Sequence, residues 1–256
     1  MKAGGFMELT DFFSEHGEAA VAFSGGADSS YLLYAAAKYA KRVRAYYVKT
    51  AFQPFFELED ALRLAREIGA DMRVLCLDVL GDERIAANPP DRCYHCKRRI
   101  FEAIAEAARR DGFTLLLDGT NASDDEGDRP GMRALRELGV LSPLRLCGLT
   151  KARVRELSRE AGLFTWDKPA YACLATRAPS DYPINAAGLS RTEACESFMA
   201  GLGFVDFRIR TRDGAAVISV TAGQRPLLEE NMDIISERLL REYSEVRVDP
   251  EDRHEQ

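Results

Sequence analysis

Ala19-Ala20-Val21-Ala22-Phe23-Ser24-Gly25-Gly26-Ala27-Asp28-Ser29-Ser30 is the stretch that decides how this chain folds. Its first five residues are a short apolar run, the pattern of a strand buried on both faces. Asp28 then opens a helical pattern with Leu32, Leu33, Ala36 and Ala40 on one face. A glycine turn between strand and helix suits phosphate. Backbone N–H groups converge there, no Cβ blocks approach, and the helix N-terminus adds a partial positive charge. Ser24, Gly25, Gly26, Asp28, Ser29 and Ser30 are therefore the candidate nucleotide-binding residues, the three serines as hydroxyl donors. Asp28 is suited to holding Mg²⁺ or capping the helix rather than touching phosphate. The competing reading, glycines serving turn geometry alone, leaves the strand–turn–helix frame unexplained.

Outward from that turn, strands and helices alternate. Strands are expected at Val43–Val48, Met72–Leu77 and Thr114–Leu117, with helices at about Glu57–Ile68 and His95–Arg110. Such alternation implies right-handed crossovers and a parallel sheet with helices on both faces, an α/β fold. Asp118 ends a strand, where ligands sit in open α/β sheets, so Asp118, Gly119 and Thr120 join the candidate nucleotide site with Asn121 and Arg129 nearby. The polar run Ala122–Gly131 reads as a loop and Lys151–Ala161 as a helix stopped by Gly162. Phe164–Pro183 has little periodicity and marks a boundary between a domain of residues 1–183 and a smaller α+β domain of residues 184–256. The latter reads as helix (Leu189–Gly201), strand (Phe207–Arg212), strand (Ala215–Val220), helix (Arg225–Tyr243) and strand (Val246–Val248). Asp213-Gly214 is a hairpin turn, and Pro250–Gln256 is expected to fray.

Composition narrows the classes. With 46% hydrophobic and 30% charged residues, the 256-residue chain is ordinary for a globular protein. No apolar run nears the roughly 20 residues that cross a bilayer, and the first residues have no signal-peptide core, so a cytoplasmic enzyme is expected. A net charge of −6 argues against a long nucleic-acid partner. The six cysteines (Cys76, Cys93, Cys96, Cys147, Cys173, Cys195) are then thiols, metal ligands or catalysts rather than a disulfide framework.

The turn lacks the lysine of a Walker A loop and the spacing of a dinucleotide fingerprint; it resembles the Ser-Gly-Gly-x-Asp-Ser signature of the PP-loop ATP pyrophosphatases, which activate a carbonyl or carboxylate as its adenylate. Four more stretches sharpen the likeness: Asn88–Lys97 (NPPDRCYHCK), Asp118–Asn121 (DGTN), Asp128–Ala134 (DRPGMRA) and Trp166–Arg177 (WDKPAYACLATR). With the loop they resemble the LarE family of ATP-dependent sulfur transferases over about Leu9–Val248.

That resemblance implies a job in making the nickel-pincer nucleotide cofactor. ATP adenylates a carboxylate of pyridinium-3,5-biscarboxylic acid mononucleotide, a thiolate displaces AMP, and C–S cleavage leaves a thiocarboxylate. Cys173 matches the sulfur donor, and Lys168 and Arg177, close in sequence, would favour its thiolate. Cys93 and Cys96 form a Cys-x-x-Cys. With Cys173 they would suit a [4Fe–4S] cluster with one open iron, an arrangement found in some members of the class. Arg208 and Arg210 fall on one face of a strand and, with Thr176 and Arg177, match a substrate-phosphate site. Glu196 matches an acidic metal position for Mg²⁺ or another divalent ion, although Ser219 stands where a Glu often precedes Val220. The likeness also suggests a homo-oligomer, up to a hexamer, and a small-molecule nucleotide substrate. The rivals are a tRNA thiolase or an amidating synthetase with the same adenylation, and an ATP-holding sensor without chemistry.

Overall fold

The computed structural model describes residues 7–124 and 130–253. Its elements run α1 (Leu9–Glu15), β1 (Glu18–Ala22), α2 (Ala27–Tyr39), β2 (Arg42–Lys49), α3 (Phe55–Glu67), β3 (Met72–Cys76), α4 (Glu83–Ala86), α5 (Arg92–Arg110), β4 (Leu116–Leu117), α6 (Pro130–Glu137), α7 (Pro143–Leu146) and α8 (Lys151–Glu160). A 3₁₀ turn (Leu174–Arg177), α9 (Ala186–Gly201), β5 (Arg208–Arg212), β6 (Ala215–Ser219), a second 3₁₀ turn (Ala222–Gln224), α10 (Arg225–Leu239) and β7 (Glu245–Val248) follow.

Two compact units share these elements. The first holds residues 1–50, 55–79 and 91–168; the second holds 51–54, 80–90 and 169–256. The boundary expected near residue 183 lies inside the second unit. Hydrogen bonds explain why the short early segments belong there: Leu174 N–H donates to Phe52 O, Ile184 N–H to Ala86 O and the Asn88 side-chain amide to Pro179 O.

The first unit is a four-stranded parallel sheet in the order β3-β2-β1-β4. Alternation along its strands feeds two layers. Ala19, Val21, Ala45 and Tyr47 pack with Leu32, Leu33, Ala36, Ala61 and Leu64 of α2 and α3. Ala20, Tyr46 and Val48 pack on the other face with Ile104, Ala107 and Ala108 of α5. Small residues on β1 let both helix layers approach closely. Because β2 and β4 flank β1 on opposite sides, the order reverses at β1, and the crevice beyond its C-terminal end is where such sheets bind ligands.

The second unit is a three-stranded sheet, β5-β6-β7, with α9 and α10 over one face through Cys195, Met199, Leu228, Ile235 and Leu239. Asp213 and Gly214 both take left-handed φ values, 51° and 79°, as a tight hairpin turn requires. The expected loop at 122–131 is shorter than read from sequence: Pro130 starts α6, where a missing N–H costs nothing. The C-terminal segment is not frayed as far as Arg253, whose N–H donates to Val220 O at 2.9 Å. Among the described residues no helix is long and apolar enough to cross a membrane.

Candidate active site

In the first unit the turn after β1 is held by its own hydroxyls. Ser24 Oγ and Ser29 Oγ lie 3.0 Å apart, and Ser29 Oγ donates to Gly26 O at 3.1 Å. Gly26 is the extended N-cap of α2 and supplies no side-chain cap to the first N–H groups of that helix, while its own N–H donates to Ser24 Oγ at 3.4 Å. Gly25 has φ of +78°, and a Cβ there would meet Glu57 O at 3.1 Å. Two buried polar atoms in the first turn of α2, Asp28 Oδ1 and Ser30 Oγ, have no hydrogen-bond partner among the described residues. Leaving such atoms unpaired costs about 1–3 kcal/mol each, which is how sites built for a polar ligand present themselves. Burial raises the Asp28 pKa, against a hydrogen bond from Asn121 that lowers it; Asp124 raises it and Lys151 and Arg155 lower it.

The β4 end abuts this turn. A Cβ on Gly119 would stand 2.8 Å from Ser29 N, so residue 119 must be glycine for the two loops to meet. Asp118 is buried and accepts from the Thr120 and Ser142 hydroxyls. It therefore organises the β4 loop rather than offering a vacant carboxylate. Asn121, also buried, closes an Asx turn by accepting from Ser123 N–H at 2.8 Å. Arg129 and Asp128 lie outside the described residues. Arg133 stacks on the Tyr94 ring, 4.1 Å from its centroid.

Sequence reasoning missed the support behind the turn. Lys168 Nζ lies 2.7 Å from Asp60 Oδ2 and 3.1 Å from Glu57 Oε1, and donates to Gly25 O at 3.5 Å. Sequence separations of 108 and 143 residues hide these contacts from any local pattern.

Cys93 and Cys96 fall in the first turns of α5, Cys93 exposed and Cys96 half-buried, neither in a disulfide. His95 pairs with Asp91 at 3.3 Å. Among the described residues no group of three or more His, Cys, Asp or Glu side chains is gathered as a metal ion requires.

In the second unit, Cys173 is the half-buried residue before the Leu174–Arg177 turn. Its carbonyl accepts from Thr176 N–H at 3.0 Å and Thr176 Oγ1 at 2.9 Å. Arg177 Nη1 donates to Ala172 O at 2.7 Å and to Cys173 O at 3.5 Å. The Arg177 guanidinium, 2% exposed, forms a two-pronged pair with Glu196 at 2.8 and 3.0 Å. Burial pulls its pKa down, but Glu196 and the charges of Tyr171 and Cys173 carry the net shift upward. Glu196 also accepts from Ile209 N–H at 2.9 Å and Tyr171 Oη at 2.6 Å. Four donors therefore occupy its four lone-pair positions. That is the geometry of a structural anchor, with no oxygen lone pair left for the divalent ion suggested by sequence. Arg177 is likewise committed to Glu196 rather than presented to a phosphate, and the Thr176 hydroxyl is spent between Cys173 O and Arg177 Nη1. Replacing Arg177 by Met leaves Glu196 buried and unpaired. It should lower unfolding stability by about 3–5 kcal/mol, measured by denaturant titration, with part regained in Arg177→Met/Glu196→Gln.

Arg208 and Arg210 do share a face of β5. Arg210 donates to Ser219 Oγ at 2.8 Å, and Ser219 Oγ donates to Asp249 Oδ2 at 2.9 Å, so the serine links an arginine to an acid supplied from beyond β7. Arg208 makes no side-chain hydrogen bond or ion pair among the described residues. Burial, then Arg253, Arg177 and Arg210, push its pKa down to about 10. Arg253, overlooked because it sits in a polar C-terminal segment, pairs with Asp206 at 2.6 Å, its side chain 8% exposed. In this cluster Glu196 pairs with Arg177, Asp206 with Arg253, and Ser219 links Arg210 to Asp249, while Asp206 acts on Arg208 against the arginines around it.

A parallel sheet whose first strand feeds a Ser-Gly-Gly-x-Asp-Ser turn at a helix N-terminus defines an enzyme fold of the PP-loop ATP pyrophosphatase class. The asparagine synthase family matches residues 14–124. Pyridinium-3,5-bisthiocarboxylic acid mononucleotide synthase of Lactiplantibacillus plantarum is 32% identical over 202 residues, 78% of this chain and 73% of that protein. An uncharacterised protein of Synechocystis sp. is 34% identical over 84% of this chain and 81% of its own length. The tRNA-specific 2-thiouridylase MnmA of Thermotoga petrophila is 23% identical over 56% of this chain and 52% of that protein. The chain belongs to the LarE family, that of the Lactiplantibacillus synthase.

Proposed function

We propose that this protein is an ATP-dependent sulfur transferase that converts the carboxylates of pyridinium-3,5-biscarboxylic acid mononucleotide to thiocarboxylates. The observation that carries the reading is the uncapped α2 N-terminus with two unpaired buried polar atoms, in a chain whose relative is named for the bisthiocarboxylic acid product. ATP seats its phosphates on the Ser24–Ser30 turn, and Asp28 Oδ1 is suited to a Mg²⁺ ion, which supplies charge neutralisation on those phosphates. The substrate carboxylate attacks the α-phosphorus, and pyrophosphate leaves. The Cys173 thiolate then attacks the acyl carbon and AMP leaves, giving a thioester. Loss of the Cys173 α-proton with cleavage of its Cβ–S bond releases the thiocarboxylate and leaves dehydroalanine at position 173.

A second reading rests on Cys93 and Cys96. Together with Cys173 they are suited to a cluster that would carry sulfide and spare Cys173. Intact mass after one turnover separates the readings: Cys173 spent loses one sulfur and two hydrogens, whereas unchanged mass with repeated turnover and bound iron supports the cluster.

Arg208, which makes no side-chain hydrogen bond or ion pair among the described residues, is the candidate for the substrate's phosphate, beside Arg210. Arg208→Ala should raise the KM for the mononucleotide by about 10-fold or more, the worth of a hydrogen bond to a charged group. The KM for ATP should stay within about twofold; steady-state pyrophosphate release measures both. A homo-oligomer and a cytoplasmic location complete the proposal, the former tested by light scattering in solution.

A further inference from the structure

We infer that Lys168 is the cation behind the phosphate loop, a positioning residue that neutralises the carboxylates behind Gly25 so that the turn accepts a polyanion. The inference rests on the nucleotide-binding reading above. The turn contains no lysine or arginine of its own between Ser24 and Ser30, and it carries Asp28. Behind it stand two more carboxylates on α3, Glu57 and Asp60, against one ammonium. The α3 backbone is in direct contact with the turn: a Cβ on Gly25 would meet Glu57 O at 3.1 Å and Ala61 Cβ at 3.4 Å. A nucleotide triphosphate therefore arrives at a turn with Asp28 in front, where Lys151 and Arg155 offset the charge, and Glu57 and Asp60 behind, where Lys168 does.

Lys168 is placed to change that. Its side chain is 14% exposed, so its charge is little screened by water. One ammonium reaches both carboxylates and donates to the carbonyl of the residue with left-handed φ. At 3.1 Å the ammonium is in direct charge contact with the buried Glu57 Oε1. Burial raises the Glu57 pKa, and the charge of Lys168 acts against that shift. Lys168 is also the last residue of the first unit, from which the chain runs five residues to Cys173.

The test is equilibrium binding of Mg²⁺ with a non-hydrolysable α,β-methylene ATP to the full-length protein by calorimetry. Lys168→Met should raise Kd tenfold or more by leaving two carboxylates unneutralised behind the phosphates. Lys168→Met/Glu57→Gln/Asp60→Asn, which removes the carboxylates together with the ammonium, should return Kd to within threefold of the parent. Wild-type affinity in Lys168→Met overturns the inference. So does a triple variant that folds and still binds tenfold more weakly, because Lys168 would then be a mechanical tie and not a neutralising charge. Should Lys168→Met fail to fold, the triple variant alone decides on the same threefold criterion. A parent protein that does not bind the analogue at all overturns the functional reading itself, a failure distinct from the others.

Discussion

Cys173→Ala should release pyrophosphate from ATP in the presence of the mononucleotide but form no thiocarboxylate, a loss on the order of 10³-fold or more in sulfur transfer. Removing a covalent nucleophile abolishes the step it performs while leaving earlier steps intact. The geometry makes the separation clean. The phosphate turn is held by Ser24, Ser29 and Gly26 within the first unit, and none of those bonds involves residue 173. In the second unit, Cys173 is held through its backbone carbonyl by Thr176 and Arg177, so truncating the thiol leaves that frame in place. Acyl-adenylate trapped with hydroxylamine should accumulate in the variant, since nothing displaces AMP. A variant that keeps making thiocarboxylate would remove Cys173 from the reaction. Cys93→Ser/Cys96→Ser is the companion: if Cys173 spends its own sulfur, a single turnover survives the double change, and if a cluster delivers sulfide, that turnover is lost.

What could be read from sequence and what could not divides along contact distance. The turn at Ser24–Ser30 was legible because strand, glycines and helix start are adjacent in the chain, and each carries its own local chemistry. The alternation that predicts a parallel sheet is local too, and the helices at α3, α5, α8 and α10 fall near their expected places. Short pieces were not legible: α1, α4 and α7 are four to seven residues long, below the length at which a 3.6-residue period declares itself. Nor were roles that depend on a distant partner. Glu196 has the residue type of a metal ligand, and only the approach of Arg177, Tyr171 and Ile209 shows that its oxygens are taken. Ser219 looked like a missing acid, yet it bridges Arg210 to Asp249, thirty residues on. Lys168 was read as a neighbour of Cys173 because five residues separate them, whereas its ammonium is engaged by Glu57 and Asp60.

Gly119→Ala should be the most damaging change of a single methyl group in the molecule, with pyrophosphate release falling on the order of 10²-fold, as displacements near 1 Å do in sites that depend on orientation. The reason is volume and not backbone freedom. Gly119 does not adopt the left-handed φ of Gly25, yet its added Cβ would stand 2.8 Å from Ser29 N and 2.9 Å from Ser29 Cα. Both are backbone atoms of the first turn of α2, so no rotamer can relieve the clash. Either α2 moves, taking the N–H groups and Ser30 out of register with the phosphates, or the β4 loop moves and disturbs Asp118 with its Thr120 and Ser142 bonds. Stability should fall as well, by about 1–3 kcal/mol, the usual cost of overpacking. Gly201→Ala is the control, since nothing lies within 4 Å of its Cβ position and it ends α9. That variant should match the parent in activity and be unchanged or up to about 1 kcal/mol more stable. Pyrophosphate release and thermal unfolding measured on the pair test the contact directly, and equal activity in the two variants would show that the β4 loop does not brace the phosphate turn.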